Sequence, residues 1–404
     1  MEMHILFYLG VIFILGALSK WIAPKVGVPK VVGYLLLGVV IGPNLLDIIP
    51  QAFVDGSHFV IDLALAIIAV MIGGTLKYSM LKESGKAILT ITFFQAFFAF
   101  FILVLGLYSF GAFFNFPTSN TLAIAIVFGG LGVATAPAAT IAIIHELKAK
   151  GKLTSMLLGV VALDDVMTVI IFSFALAISG ALINMETLDN GFILHSFLSL
   201  FLSALLGIIG AIVATGLNRL FSHNKGIETI STLGAIFILY GLSDAWELEM
   251  IFSALVMGVV MTNISAEFDV VEEEIDNHLE EIIFMLFFIL SAMHLKLTMI
   301  GSMMPVMVAY VIFRMVGKAL GVYIGATLSH TNHYTKHYLA LGLFPQAGLA
   351  MGLALSLQYQ NGFETIAPYI LNVVIATTLI HELIGPFLTK YILIKSREVN
   401  RDVI

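Results

Sequence analysis

Val161-Ala162-Leu163-Asp164-Asp165-Val166-Met167-Thr168 sets two neighbouring carboxylates inside an apolar run that extends over roughly 153–180. A helix needs about 20 apolar residues to cross ~30 Å of hydrocarbon, and this run supplies them. A charge at the bilayer centre costs about 2.5–3.5 kcal/mol even on the lenient insertion scale. Two adjacent acids therefore demand either a function or a different reading, in which the stretch is a loop. Apolar residues flank the pair on both sides for more than a turn, which favours the span. Consecutive helix positions point about 100° apart. The two acids cannot share one face, so one can meet a cation path while the other meets a neighbouring helix.

The surrounding chain repeats that apolar character. Of its 404 residues, 60% are hydrophobic and 11% charged, against roughly 25% charged in a soluble domain. Mean hydropathy is +1.04. Thirteen candidate spans are read at roughly 3–22, 30–48, 59–76, 86–113, 120–146, 153–180, 193–219, 227–242, 249–264, 281–295, 300–328, 337–358 and 365–395. Lipid offers the backbone no hydrogen bonds, so spanning elements are helices or a closed barrel. These runs do not alternate as barrel strands do. The expected fold is an all-α polytopic membrane protein of about 13 transmembrane helices, a single transmembrane unit over 1–404. The longest hydrophilic stretch, Glu267 to Glu281, is read as an acidic loop. Cysteine is absent, which removes disulfides, thiolate metal sites and a cysteine nucleophile. The segment from Met1 to Leu18 lacks a basic leader and is read as the first span.

Basic residues set the orientation. All but three of the 19 Lys and Arg residues fall between spans on one face, or end the chain on it. The exceptions are Lys296, on the other face, and Arg314 and Lys318, inside a span. The N-terminus is therefore expected outside and the C-terminus in the cytoplasm, in a multi-pass plasma or inner membrane protein.

An internal echo accompanies this layout. Leu35-Leu36-Leu37-Gly38-Val39-Val40 matches Leu255-Val256-Met257-Gly258-Val259-Val260, with Asn44 and Asn263 following. Thr135-Ala136-Pro137-Ala138 interrupts the fifth span, and Phe344-Pro345-Gln346-Ala347-Gly348 the twelfth. Both pairs are seven spans apart, an odd separation that gives opposite orientations: an inverted repeat with two crossed discontinuous helices. Interrupted helices at matching positions point to a transporter site near the midplane. Broken backbone at that depth is tolerated only where it is buried in protein or lines a watery cavity. Thr135 can offer a hydroxyl oxygen to a hard cation, and Gln346 an amide oxygen. Each break taken alone could equally be a packing kink.

Arg314 and Lys318, four residues apart, share one helix face. Asp164 and Asp165 are their obvious partners, although Lys318 could instead reach the cytoplasmic interface. Gly317, Gly321 and Gly325 form a small-residue face suited to close helix packing. Asp62 and Glu249 are read as interfacial, Asn263 as a cap, and His381-Glu382 as a local hydrogen-bonded pair.

Together these residues resemble the monovalent cation:proton antiporter superfamily, in its bacterial sodium/proton antiporter type with an adjacent aspartate pair. Gly33-Tyr34-Leu35-Leu36-Leu37-Gly38-Val39-Val40-Ile41-Gly42-Pro43 looks like that family's second span. Arg314-Met315-Val316-Gly317-Lys318 resembles its basic span, and Phe344 to Gly348 its second broken helix. The resemblance implies a core domain (about 59–180 and 281–395), a dimerisation scaffold (about 1–48 and 193–264), a homodimer and elevator-like movement. It implies that Asp165 binds the transported cation and carries protons. Asp164 would pair with a base of the eleventh span, Lys318 being favoured over Arg314, and release it on cation binding. An adjacent acid pair resembles the electrogenic type. Ala136, Pro137 and Pro345 line the implied cation path with Thr135 and Gln346. Ala136 departs from relatives that carry Asp or Ser there, which removes a possible cation ligand.

The expectation is a secondary antiporter, not an enzyme, exchanging sodium or lithium for protons in the service of pH homeostasis. It needs no cofactor and no nucleic acid; its partners are the cation, the proton, membrane lipid and a second copy. Rival readings are a potassium/proton antiporter or potassium-efflux transporter, an ion channel, and an intramembrane protease. The protease would need its two acids on different spans. The channel does not explain paired acids and bases at one site.

Overall fold

The computed structural model describes residues 4–78, 85–114, 116, 120–183, 190–220, 225–360 and 362–399, and every regular element among them is helical. In chain order the helices are α1 (Ile5–Ile22), α2 (Lys30–Ile41), α3 (Gln51–Gly56), α4 (His58–Gly74), α5 (Gly85–Ser109), α6 (Thr121–Gly132), α7 (Pro137–Glu146), α8 (Lys152–Ile183) and α9 (Asn190–Leu220). They continue with α10 (Lys225–Ala245), α11 (Met250–Ile264), α12 (Glu267–His278), α13 (Glu280–Met293), α14 (Ile300–Leu328), α15 (His333–Gly342), α16 (Gly348–Ser356) and α17 (Ala367–Lys395).

Among the described residues, 7 helices are long and apolar enough to cross a bilayer: α1, α5, α8, α9, α10, α14 and α17. The other expected spans are filled by shorter pieces. α2, α4, α11 and α13 run singly, and α6–α7 and α15–α16 are helices broken within a span. Apolar side chains such as Phe7, Ile14, Trp21, Leu105, Phe201, Ile212, Ile238 and Phe387 stand exposed on the outer faces. On a chain of this composition that is the surface lipid covers.

Two compact units divide the chain. One comprises Met1–Ser57, Ser84–Met185 and Phe288–Ile404; the other comprises His58–Glu83 and Glu186–Phe287. The third span groups with α9–α12, and the first two with α5–α8 and α14–α17. In the smaller unit a Cβ on Gly258 would lie 2.0 Å from the Val70 carbonyl, so α11 and α4 meet backbone to backbone. The stretch expected as an acidic loop is largely the helix α12. Its acids face outward while Phe268, Val271 and Ile275 are buried, and Val271 and Ile275 pack with Ile67. Apolar residues at i, i+3 and i+7 hidden among acids carried the helical period. Lys77 binds Asp269 at 2.8 Å, which holds its ammonium above the usual lysine range.

In the larger unit α14 lies along α5, and the glycine row sets the spacing. A Cβ on Gly317 would come 2.6 Å from the Phe98 carbonyl, one on Gly321 2.4 Å from that of Phe94, and one on Gly325 2.8 Å from Cα of Ile91. The row is helix packing, as its composition suggested. It brings the basic face of α14 to the middle of α5. Gly321→Leu should push the two helices apart, at a cost of about 1–3 kcal/mol or more for overpacking, and lower the melting temperature in detergent. Gly301→Ala, on the same helix with nothing within 4 Å, should leave it unchanged or slightly raised.

Candidate functional site

The two breaks are built from local sequence. Asn120 caps α6, its side chain accepting from the Ala123 amide, and α6 stops at Gly132. Pro137 opens α7 at its first turn, where the missing N–H costs nothing. Val133–Ala136 is left unwound between them. Asn332 caps α15, accepting from the Thr335 amide at 2.8 Å; α15 stops at Gly342 and α16 starts at Gly348. The unwound strands meet where the Ala136 amide donates to the Pro345 carbonyl at 2.9 Å. Thr140 of α7 also reaches the Gly342 carbonyl at 3.0 Å.

Arg314 is fully buried and faces both breaks. Nε donates to the Gly132 carbonyl at 3.0 Å and Nη1 to Phe344 at 2.8 Å. Nη2 donates to Ala134 at 2.5 Å, with Leu343 at 3.3 Å and Pro345 at 3.5 Å. Arg314, the alternative to Lys318 as a partner for Asp164, turns its planar fork of donors to the carbonyls that the breaks free. The negative ends of α6 and α15 thus share one guanidinium.

Lys318, one turn on, takes the carboxylate. Its Nζ lies 2.9 Å from Oδ2 of Asp164, 2.6 Å from the Val133 carbonyl, 2.8 Å from Oγ1 of Thr135 and 2.9 Å from Oε1 of Gln95. It does not reach for the interface; it is 0% exposed, as is Asp164. Thr135 and the Gln95 amide each donate to Asp164. Every acceptor of that carboxylate is occupied, as a buried charge requires. Both aspartates are in mid-α8, which disposes of the loop reading. Asp165 is 6% exposed, and its Oδ1 is buried with no hydrogen-bond partner. The two acids therefore differ, as the 100° offset requires: one is locked in a network and the other is open.

Gln346 faces inward too, but ties structure together: its amide donates to the Leu131 carbonyl at 2.7 Å and to Tyr310 at 2.8 Å. Ala136 and Pro345 contribute the backbone contact between the breaks, and Pro137 opens the helix after the first. Gln95 and Tyr310 were missed by sequence reasoning. A single glutamine in Thr92-Phe93-Phe94-Gln95-Ala96, in an otherwise apolar span, was the signal available. His381 and Glu382, expected to bond each other, do not: Oε1 of Glu382 lacks a partner, and the His381 ring turns to the Thr377 carbonyl of its own helix. Asn263 does more than cap: it accepts from the Tyr78 amide and donates to the Leu76 carbonyl, holding the segment after α4.

A multi-span helical protein with acids and bases buried where two helix breaks meet is built to handle ions inside a membrane. The chain belongs to the transmembrane sodium/hydrogen exchanger family, whose model matches residues 10–395; this is a transporter family, not an enzyme. It is 26% identical over 249 residues to Na(+)/H(+) antiporter 1 of Methanocaldococcus jannaschii, a match spanning 58% of this chain and 52% of that protein, about half its length. The fold is similar to that of the sodium proton antiporter MjNhaP1 of the same organism at pH 8, with TM-score 0.74, 19% identity and coverage of 97% of this chain and 98% of that one. A map-derived structure of the same antiporter matches with TM-score 0.69 at 20% identity, covering 98% and 96%.

Removing one member of a buried ion pair leaves the other uncompensated, at about 3–5 kcal/mol. Asp164→Asn should therefore lower the melting temperature more than the double change Asp164→Asn/Lys318→Gln. Strictly additive losses across the four proteins would contradict a coupled pair.

Proposed function

We propose that this protein is a secondary antiporter exchanging sodium or lithium for protons, with Asp165 and Asp164 as the exchange site. The observation that carries the reading is the contrast within the pair. Asp165 has a buried carboxylate oxygen without a partner, beside an Asp164 fully engaged by Lys318, Thr135 and Gln95. Such an oxygen accepts a proton or a cation but not both. A cation that also uses Asp164 and the Thr135 oxygen has to displace the Lys318 ammonium. If only an occupied site crosses the membrane, competition for Asp165 makes the flows of cation and proton opposite and obligatory. Two protons per cation would move one net charge, worth about 2.3 kcal/mol per 100 mV, and make the exchange electrogenic. Family membership and the MjNhaP1-like fold support the reading.

The repeat supports alternating access. Gly38 of α2, in the second span, packs on the Ile289 carbonyl in the tenth, and Gly258 in the ninth packs on Val70 in the third. Spans seven apart exchange roles in those two contacts, as an inverted repeat requires. Elevator-like movement, a homodimer, a transport core with a dimerisation scaffold, and an outside N-terminus with a cytoplasmic C-terminus complete the proposal.

Proteoliposomes with an imposed pH gradient and an internal pH dye test it. Sodium or lithium should dissipate the gradient, and Asp165→Asn should abolish the response. A response to potassium alone would move the cargo to potassium. Silence to all three ions, or an undiminished mutant, would contradict the proposal.

A further inference from the structure

α17 carries a second ionisable pair that the exchange site does not use. His381 and Glu382 are 0% and 1% exposed at mid-helix. Oε1 of Glu382 has no hydrogen-bond partner, nor do the buried hydroxyls of Thr378 and Thr389, while the His381 ring has the Thr377 carbonyl of its own helix beside it. At about 100° per residue, Thr378, Glu382, Gly385 and Thr389 lie along one face of the helix, and His381 lies at its edge, about 100° from Glu382. That face covers the second break. A Cβ on Gly385 would lie 2.5 Å from Cγ of Pro345, and the His381 ring centroid is 4.9 Å from that of Phe344 and 6.3 Å from that of Tyr310.

The place has a counterpart. α17 is the thirteenth span and α8 the sixth, seven apart like the two breaks. α8 presents Asp164 from mid-helix to the first break through Thr135 and carries Asp165 beside it; α17 presents His381 from mid-helix to the second through Phe344 and carries Glu382 beside it. This step rests on the inverted repeat of the proposed function.

A lone buried carboxylate is far costlier than its neutral acid, and Glu382 forms no ion pair among the described residues. On α14, Lys318 is committed to Asp164, Arg314 to backbone carbonyls and Tyr310 to Gln346; Tyr323 lies beside His337. α16 carries no titratable group. Those on the other packed helices are His145 and Glu146 on α7, Lys30 and Tyr34 on α2, and His333, Tyr334, Lys336, His337 and Tyr338 on α15. α17 itself adds Tyr369, Lys390, Tyr391 and Lys395.

We infer that Glu382, beside His381, is a second proton-binding site of the transporter, which gives up its proton when a monovalent cation binds at the aspartates. The proton leaves the Glu382 carboxyl for solvent, and the carboxylate left behind offsets the charge of the entering cation. The link is physical: His381 packs on Phe344 and Tyr310, Tyr310 bonds Gln346, and Arg314 ties the Phe344 carbonyl to the first break.

The test is proton release on adding sodium chloride to purified protein in weak buffer, across pH, for wild type and Glu382→Gln. The variant should release fewer protons per sodium bound, with its pH profile displaced by about one unit. Equal release with an unchanged profile would overturn the inference. Size-exclusion chromatography monitors folding. Should the glutamine variant not fold, Glu382→Asp keeps the acid and should release the same number at a displaced pH; an undisplaced profile would overturn the inference. Wild type that releases no protons and fails to exchange in proteoliposomes would remove the proposed function itself, whereas wild-type release matched by Glu382→Gln removes only this inference.

Discussion

A lysine ammonium in mid-membrane must be surrounded by oxygen, and much of the larger unit follows from that. Lys318 finds four: a carboxylate, a hydroxyl, an amide and a backbone carbonyl. The carbonyl exists only because α6 is broken before Pro137. The amide is reached only because glycines let α14 lie against the backbone of α5. The hydroxyl is that of Thr135, held in place by the same break. Arg314 applies the same constraint one turn earlier, gathering carbonyls from both breaks. The breaks, the glycine row and the two bases are one solution to burying charge.

The consequence for ion handling lies in what remains unsatisfied. Asp164 is neutralised in place, while Asp165 keeps an oxygen without a partner next to it. A site with one filled and one open carboxylate can bind a cation without first creating a charge in the membrane. In the proposed exchange, displacing the ammonium would couple the cation to the bases and through Arg314 to both helix breaks. His381 packs on Phe344 of the second break, and with Glu382 beside it would extend that coupling beyond the aspartates.

Much of this was legible in the sequence because membrane burial makes polar residues conspicuous. The aspartate pair, Arg314, Lys318, Thr135, Pro137 and Pro345 each stand out against apolar neighbours, and all converge within the larger unit. Which base meets Asp164 was ambiguous from spacing, since Arg314 and Lys318 share a face; the three-dimensional placement of the freed carbonyls decides it. Gln95 was hidden because a lone amide in a phenylalanine-rich span has no motif. The α12 helix was hidden because its acids masked the buried period of Phe268, Val271 and Ile275. The grouping of α4 with α11 depends on Gly73 and Gly258 meeting backbone, which composition does not disclose.

The central claim is that a cation and a proton compete for the same aspartates. Calorimetric titration of the purified protein with sodium at a series of pH values tests it directly. Competition predicts that affinity weakens about tenfold per unit of acidification for each proton the cation displaces, with heat that varies with the buffer's ionisation enthalpy. A sodium affinity independent of pH, with no buffer-dependent heat, would contradict it.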